Sequence, residues 1–177
     1  RHPCQALTDL LTIRETCGTL AGRRLVFVGD GNNVARSLAI ACGRMGVSMT
    51  LAAPEGYEFD EEFLGLMAQE VPGHDVTIEP DPVAAVASAD VIYTDVWASM
   101  GQESEKSERE AAFSGYQVDG ALLSRAPEGC CFMHDLPARR GLEVSDEVID
   151  GPQSVVFEQA ENRMHLAKGL LVWLLSE

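Results

Sequence analysis

Residues 25–46, LVFVGDGNNVARSLAIACGRMG, decide the fold. Leu25-Val26-Phe27-Val28 is a short continuous apolar run, the pattern of a strand buried on both faces. Gly29-Asp30-Gly31-Asn32 is turn chemistry, and the apolar spacing from about Asn33 to Met45 predicts a helix that Gly46 ends. Two explanations of Asn33 stand side by side: it caps the helix, or it offers its amide to an anion at the positive end of the helix dipole.

The same strand-then-helix unit recurs outward from this stretch. Val47–Leu51 predicts a second strand, and Phe59, Phe63, Leu66, Met67 and Glu70–Val71 an amphipathic helix. Val76–Ile78 predicts a third strand, Val83–Ala87 a small Ala-rich helix after Pro80 and Pro82, and Val91–Thr94 a fourth strand. A charged helix over 104–113 and a short one over Ala121–Arg125 precede the apolar run Cys130–Met133, the fifth strand. Before the first strand, Pro3 to Thr16 reads as a helix with Pro in its first turn and Gly18 past its end. At the other end, Glu158 to Leu175 predicts a long helix with an apolar stripe at Met164, Ala167, Leu170, Leu171, Leu174 and Leu175. The alternation predicts an α/β, doubly wound, mainly parallel five-stranded sheet with helices on both faces, a Rossmann-like three-layer arrangement in a single domain over 1–177.

Size and charge bound the function. A chain of 177 residues with 46% apolar content is long enough to close one core without disulfides or metal. The net charge of −15 disfavours nucleic acid and anionic membrane as partners. Five cysteines, at 4, 17, 42, 130 and 131, form no CxxC pair and sit mostly in apolar runs, as in reduced cytoplasmic proteins. No stretch is long and apolar enough to span a bilayer, and RHPCQALTDL lacks a signal-peptide core, so a soluble intracellular protein is expected. A start at Arg1 rather than Met points to a processed product, a fragment or an excised domain.

In an open α/β sheet, ligands are held at the carboxyl ends of the strands. DVWASMGQE, 95–103, leaves the fourth strand there and packs two carboxylates, an indole, a hydroxyl, a thioether and an amide into nine positions. Asp95, Ser99 and Met100 are therefore candidate ligand-binding residues, against the plainer reading of a surface loop whose Ser99 or Ser104 caps a helix. HDLPARRG, 134–141, leaves the fifth strand at the same edge if the sheet is parallel. His134 is a candidate acid or base, although a lone His at a strand end is more often structural. Asp135, Arg139 and Arg140 read as an ion-pair cluster, and Arg163 as the partner of Glu161 or of a neighbouring loop. The GDGNN turn falls short of a dinucleotide fingerprint, because Val34 takes the third glycine position and Ala52-Ala53-Pro54 supplies no ribose-binding acid. No metal-ligand spacing and no nucleophile elbow is found.

Taken together, HPCQ at 2–5, VGDGNN at 28–33, DVWASMGQE at 95–103, FMHDLPARRG at 132–141 and DEVIDGPQSVVFEQAENR at 146–163 resemble the ornithine carbamoyltransferase family over essentially the whole chain. The resemblance is to the carboxyl-terminal, ornithine-binding half. The carbamoyl phosphate domain with its Ser-x-Arg-Thr-Arg cradle has no counterpart, and the helix over 158–177 is expected to pack on that domain. The resemblance implies that Asn33, Asp95, Ser99 and Met100 hold the amino-acid end of L-ornithine. It implies that His2, Gln5, Asp135, Leu136 (through its carbonyl) and Arg163 serve carbamoyl phosphate, with His2, Asp95 and Asp135 in catalytic roles. It further implies transfer of the carbamoyl group to the δ-amine of ornithine without metal or organic cofactor, a cytoplasmic location, a homotrimeric full-length enzyme, and inactivity of this half alone. One position departs from the pattern: the family usually reads His-Cys-Leu-Pro where this chain has His134-Asp135-Leu136-Pro137. Asp135 takes the proton-accepting part of that Cys if burial near Asp95 raises its pKa, or else pairs with the amine and slows attack. The alternatives are a related amine substrate such as putrescine and a non-catalytic amino-acid-binding domain.

Overall fold

The computed structural model describes residues 2–98 and 105–176. Five strands, β1 (Arg24–Val28), β2 (Ser48–Ala52), β3 (Val76–Ile78), β4 (Val91–Thr94) and β5 (Cys131–His134), form one sheet in the order β3-β2-β1-β4-β5. Every pairing is parallel, with Phe27 opposite Leu51 on one side and Tyr93 on the other, and Tyr93 opposite Met133. The strand pleat sends alternate side chains to opposite faces. Leu25, Phe27, Met49, Leu51, Tyr93 and Met133 join one core with α1 (Pro3–Cys17), α2 (Asn33–Met45) and α3 (Glu61–Glu70). Val26, Val28, Ala52, Ile92 and Phe132 join a second core with α4 (Pro82–Val86), α6 (Gly120–Leu123), α7 (Asp146–Ile149) and the first turn of α8 (Val156–Leu175). Helix α5 (Lys106–Ala112) follows β4. The expected α/β sheet with helices on both faces is the one observed, and it is parallel throughout.

Local chemistry sets several boundaries differently from the sequence reading. Helix α3 begins after Phe59, because the Asp60 side chain caps it, accepting from Phe63 N at 2.8 Å. Asp81 caps α4 in the same way, so Pro82 becomes its first residue. The four-residue α7, unforeseen in the sequence, buries Val148 and Ile149 in the second core. Helix α8 starts at Val156 rather than Glu158.

Helix α8 turns its apolar stripe away from the sheet. Its buried residues are Val156, Gln159 and Asn162, while Met164, Leu171, Leu174 and Leu175 of the apolar stripe are exposed, Leu175 at 80%. The polar side docks on α1 because it is matched there by polar groups: Asn162 donates to Thr12 Oγ1 at 3.1 Å and to Glu15 Oε2 at 2.8 Å. Among the described residues no helix is long and apolar enough to cross a membrane, and all five cysteines are free thiols.

Candidate functional site

The chain runs from β1 outward to β3 on one side and from β4 to β5 on the other, so the sheet has its switch point between β1 and β4. Loops there diverge and leave a crevice at the carboxyl ends of the strands. Asn32, after β1, bridges it. Its side-chain oxygen caps α2, accepting from Val34 N at 2.9 Å and Ala35 N at 3.0 Å, which turns Nδ2 toward Asp95 Oδ2 at 2.9 Å. The cap is therefore Asn32 rather than Asn33, because only Asn32 has the extended backbone that lets a side chain fold back on the first turn. Asn33 is left exposed at the helix start. Asp95 Oδ1 accepts from Val96 N at 2.7 Å, so both oxygens of this nearly buried carboxylate have donors.

Gly31 admits no side chain, but the approach it permits is to the chain itself and not to a ligand. A Cβ there would lie 2.9 Å from the Glu58 carbonyl, and Gly31 N donates to Tyr57 O at 2.8 Å. Beside it, Arg109 of α5 reaches Asp30 Oδ2 at 2.6 Å, Trp97 O at 3.0 Å and Glu105 Oε2 at 3.0 Å, pinning the segment after β4 to the β1–α2 turn. Ser99, Met100 and Ser104 lie outside the described residues.

His2 sits at the mouth of α1 against the same helix start. His2 N donates to Ser37 Oγ at 2.8 Å, and Ser37 Oγ donates to Asn33 O at 2.8 Å. Its ring is exposed. One turn on, Gln5 is buried and donates through Nε2 to Asp9 Oδ1 at 2.8 Å. Gln159 of α8 donates to the same oxygen at 2.7 Å and to Tyr93 Oη at 3.2 Å, and accepts from His134 N at 3.0 Å. Gln5 Oε1 and Asp9 Oδ2 are buried without a hydrogen-bond partner among the described residues. Burial pushes the Asp9 carboxyl up to about 7, although Gln5, Gln159, Tyr93 and Arg163 act in the opposite direction.

Past β5 the chain makes a tight polar turn. Leu136 N donates to His134 Nδ1 at 2.9 Å, which places the ring proton on Nε2, facing Glu143 Oε1 at 3.2 Å. Both nitrogens are thus engaged and the ring is buried, so His134 is structural. It does not serve Asp135 either, whose Oδ1 lies 3.6 Å from an Nδ1 already occupied, and is itself buried without a partner among the described residues. Burial, and then the charges of Asp95 and Asp9, push the Asp135 carboxyl up to about 8. Leu136 holds a left-handed φ of 54°, a conformation costing a side-chain-bearing residue about 1 kcal/mol.

The expected ion-pair cluster dissolves. Arg140 Nη1 reaches Asp146 Oδ1 at 2.7 Å and its Nη2 reaches Asp150 Oδ1 at 2.7 Å, not Asp135. Arg163 forms no ion pair among the described residues, and Glu161 faces His165 at 3.4 Å instead. Arg163 lines an open cavity of about 680 Å³ together with Asp135, Leu136, Pro137, Phe157 and Met164.

Residues 21–174 match the family model for the aspartate/ornithine carbamoyltransferase Asp/Orn binding domain. The chain belongs to the aspartate/ornithine carbamoyltransferase family. It is 52% identical over 96% of its length to the ornithine carbamoyltransferase of Methanobrevibacter smithii, covering 57% of that protein. To the Bacillus subtilis ornithine carbamoyltransferase it is 53% identical over 96% of its length, covering 54%. Among solved structures, the Pyrococcus furiosus ornithine carbamoyltransferase superposes with a TM-score of 0.90 at 53% identity, over 97% of this chain and 55% of that one. The chain thus spans about half the length of the curated relatives it matches.

The carbamoyltransferase motifs quoted from the sequence converge on one edge. Asn33 and His2 flank the start of α2, Asp95 faces Asn32 across the crevice, and Asp135, Leu136 and Arg163 share the cavity. Gln5 lies between these groups, tied through Asp9 and Gln159 to the exit of β5. Asp9, Asn32, Arg109 and Gln159 escaped the sequence reading. Asp9 is detectable as a lone acid on the apolar side of α1; Asn32 reads only as turn chemistry, Arg109 only as part of a charged helix, and Gln159 only as one position of the last quoted motif.

Proposed function

We propose that this chain is the ornithine-binding half of a transcarbamylase that moves the carbamoyl group of carbamoyl phosphate to the δ-amine of L-ornithine, giving citrulline and phosphate. The observation that carries the reading is the pair of neighbouring carboxyls at the ends of β4 and β5, of which Asp135 is held near a pKa of 8. Asp95 meets the α-ammonium as a charge-assisted acceptor. Asn33, exposed at the positive end of the α2 dipole, meets the α-carboxylate, with Ser99 and Met100 completing that subsite. The orphaned Gln5 Oε1 is a buried acceptor in want of a donor, which the carbamoyl NH2 supplies. His2 polarises the carbamoyl oxygen as charge builds there, and the Leu136 carbonyl and Arg163 hold the rest of carbamoyl phosphate.

The neutral δ-amine attacks the carbamoyl carbon, the C–O bond to phosphate breaks, and phosphate leaves with that bonding pair. The proton shed by the attacking nitrogen goes to ionised Asp135. A carboxyl titrating near 8 is an acceptor of useful strength close to neutral pH, where an ordinary carboxylate is too weak a base. No metal or organic cofactor has a part in this scheme. The exposed apolar residues of α8 are read as the surface that a carbamoyl phosphate-binding domain covers. The working enzyme is read as a cytoplasmic homotrimer of arginine metabolism.

The test is citrulline formation from carbamoyl phosphate and L-ornithine by the full-length gene product and by residues 1–177 alone, with putrescine in parallel. Turnover of ornithine by the full-length protein only is the expected result. Ornithine binding without turnover of either amine would replace this reading with the second one, a non-catalytic amino-acid-binding protein. That second reading is favoured by Asp135 standing where the family usually has Cys.

A further inference from the structure

Among the described residues Asp9 is the one fully buried carboxylate on the first-core side of the sheet, and no cation among them touches it: its hydrogen bonds come from two amides, one of which, Gln159, also reaches a phenol. Burying a carboxyl without a cationic partner is costly, and replacing it with an apolar side chain would ordinarily be stabilising. Its placement has two consequences for the site. By accepting from Gln5 Nε2, Asp9 Oδ1 dictates which end of the Gln5 amide faces away, and that end is the unpartnered Oε1. By accepting from Gln159 Nε2 at the same oxygen, it orients the amide whose Oε1 holds His134 N, one residue before Asp135.

Asp135 feels the charge of Asp9, and both bear on the Tyr93 phenol, whose Oη accepts from Gln159 Nε2 at 3.2 Å. Burial first, and then Asp9, Asp135 and Asp95, push the Tyr93 phenol well above its ordinary range. The groups facing Asp9 are Gln5 on its own helix, Cys42 from α2, Tyr93 from β4, Gln159 and Arg163 from α8, and Asp135 beyond β5. Those facing Asp135 are Asp95, Asp9 and Tyr93, the His134 ring at 3.6 Å, and Arg140 and Arg163 across the cavity. Neither arginine makes an ion pair with either carboxyl among the described residues.

We propose that Asp9 is a positioning residue for the transfer site: through one oxygen it holds the Gln5 amide with Oε1 free for substrate and the Gln159 amide that fixes His134 N, one residue before Asp135. The substrate part of this statement rests on the transcarbamylase reading above; the charge that Asp9 also presents toward Asp135 does not. Asp9 and Asp135 then titrate as a linked pair, each ionisation making the other harder. The pair thus holds fewer negative charges near neutral pH than its residue count implies.

Substitutions separate the two roles. In Asp9→Asn the side-chain oxygen still accepts from Gln5 and Gln159 while the charge is gone; in Asp9→Leu both are lost. The direct measurement is a carboxyl 13C NMR titration of the 177-residue chain, which needs no substrate. The Asp135 midpoint is expected near 8 and should move toward acid by about half a pH unit or more in Asp9→Asn. Linkage requires the Asp9 midpoint to move by the same amount in Asp135→Asn, so the reciprocal variant decides the matter if the first does not fold. An Asp135 midpoint unmoved by loss of the Asp9 charge overturns the charge role.

In the full-length protein, the acid limb of kcat/KM, on which the rate rises as Asp135 ionises, should shift to lower pH in Asp9→Asn. The KM for carbamoyl phosphate should rise about tenfold further in Asp9→Leu than in Asp9→Asn. A uniform loss of rate with an unmoved limb, or equal KM values in the two variants, overturns the corresponding role. A moved NMR midpoint with no citrulline formed would sink the transcarbamylase reading and leave the linked titration standing; the opposite pattern would sink the linkage alone.

Discussion

Asp95 and Asp135 are neighbours at the ends of adjacent parallel strands, yet the fold treats them oppositely. Asp95 has a donor for each oxygen, Asn32 Nδ2 at 2.9 Å and Val96 N at 2.7 Å. Asp135 is given an orphaned oxygen, a cavity and two like charges, and its carboxyl rises to about 8. The same residue type thus becomes a doubly hydrogen-bonded acceptor at one strand end and a carboxyl with a raised pKa at the next. Burial raises Asp135 first, and the two sites also differ in their supply of donors: both side chains are largely shielded from water, but only Asp95 has a partner for each oxygen.

Four measurements break or sharpen that contrast. The largest effect is expected from Asp95→Ala in the full-length protein, where kcat/KM for ornithine should fall about a thousandfold, carried mostly by KM, as a charge-assisted contact is lost. If KM holds and only kcat falls, Asp95 is no substrate anchor. Next is Asp135→Asn, expected to reduce kcat by about a hundredfold and to abolish the limb near pH 8, with Asp135→Cys recovering most of the rate. A rate within a few-fold of the parent would remove Asp135 from proton transfer.

The third concerns stability of the isolated chain. Asp9 and Asp135 have folded-state values near 7 and 8, above the ordinary carboxyl value of 3.8 expected in the unfolded chain. The folded state therefore binds more protons between those limits, and their contribution is fully present below about pH 4 and is lost as pH rises through 7 to 8. Chemical denaturation should show a loss on the order of 5 kcal/mol between pH 5.5 and 8.5, reduced in Asp9→Asn. A stability that climbs over this range would contradict the burial of both groups. The smallest effect is expected from Asn32→Ala, about 1 kcal/mol from the lost cap of α2, read as a lower denaturation midpoint. Asn33→Ala should cost stability much less, and the reverse order would restore Asn33 as the cap.

Much of the architecture was legible because it is written in local patterns. Strand runs such as Leu25–Val28 and stop signals such as Gly18 and Gly46 act over a few residues, and the observed elements follow them closely. The exceptions share a cause. Phe59 fits the helical period of α3, but a capping aspartate one residue later overrode it. The stripe on α8 is a real amphipathic signal, yet it points outward, because the helix's polar side finds matching groups on α1.

The amino-acid sequence by itself determined the α/β alternation, the edge of the sheet where the chemistry-bearing loops gather, and the family motifs that name the candidate residues. Those depend on periodicity, turn chemistry and the parallel crossover, all of which act along the chain. Only the tertiary structure decided that Asn32 and not Asn33 is the cap, that His134 is saturated, that Arg140 serves Asp146 and Asp150, and that Asp9 and Asp135 are held with raised pKa values. Donor supply and desolvation are set by partners far away in sequence, as when Gln159 meets Asp9 across 150 positions, and no local pattern encodes them.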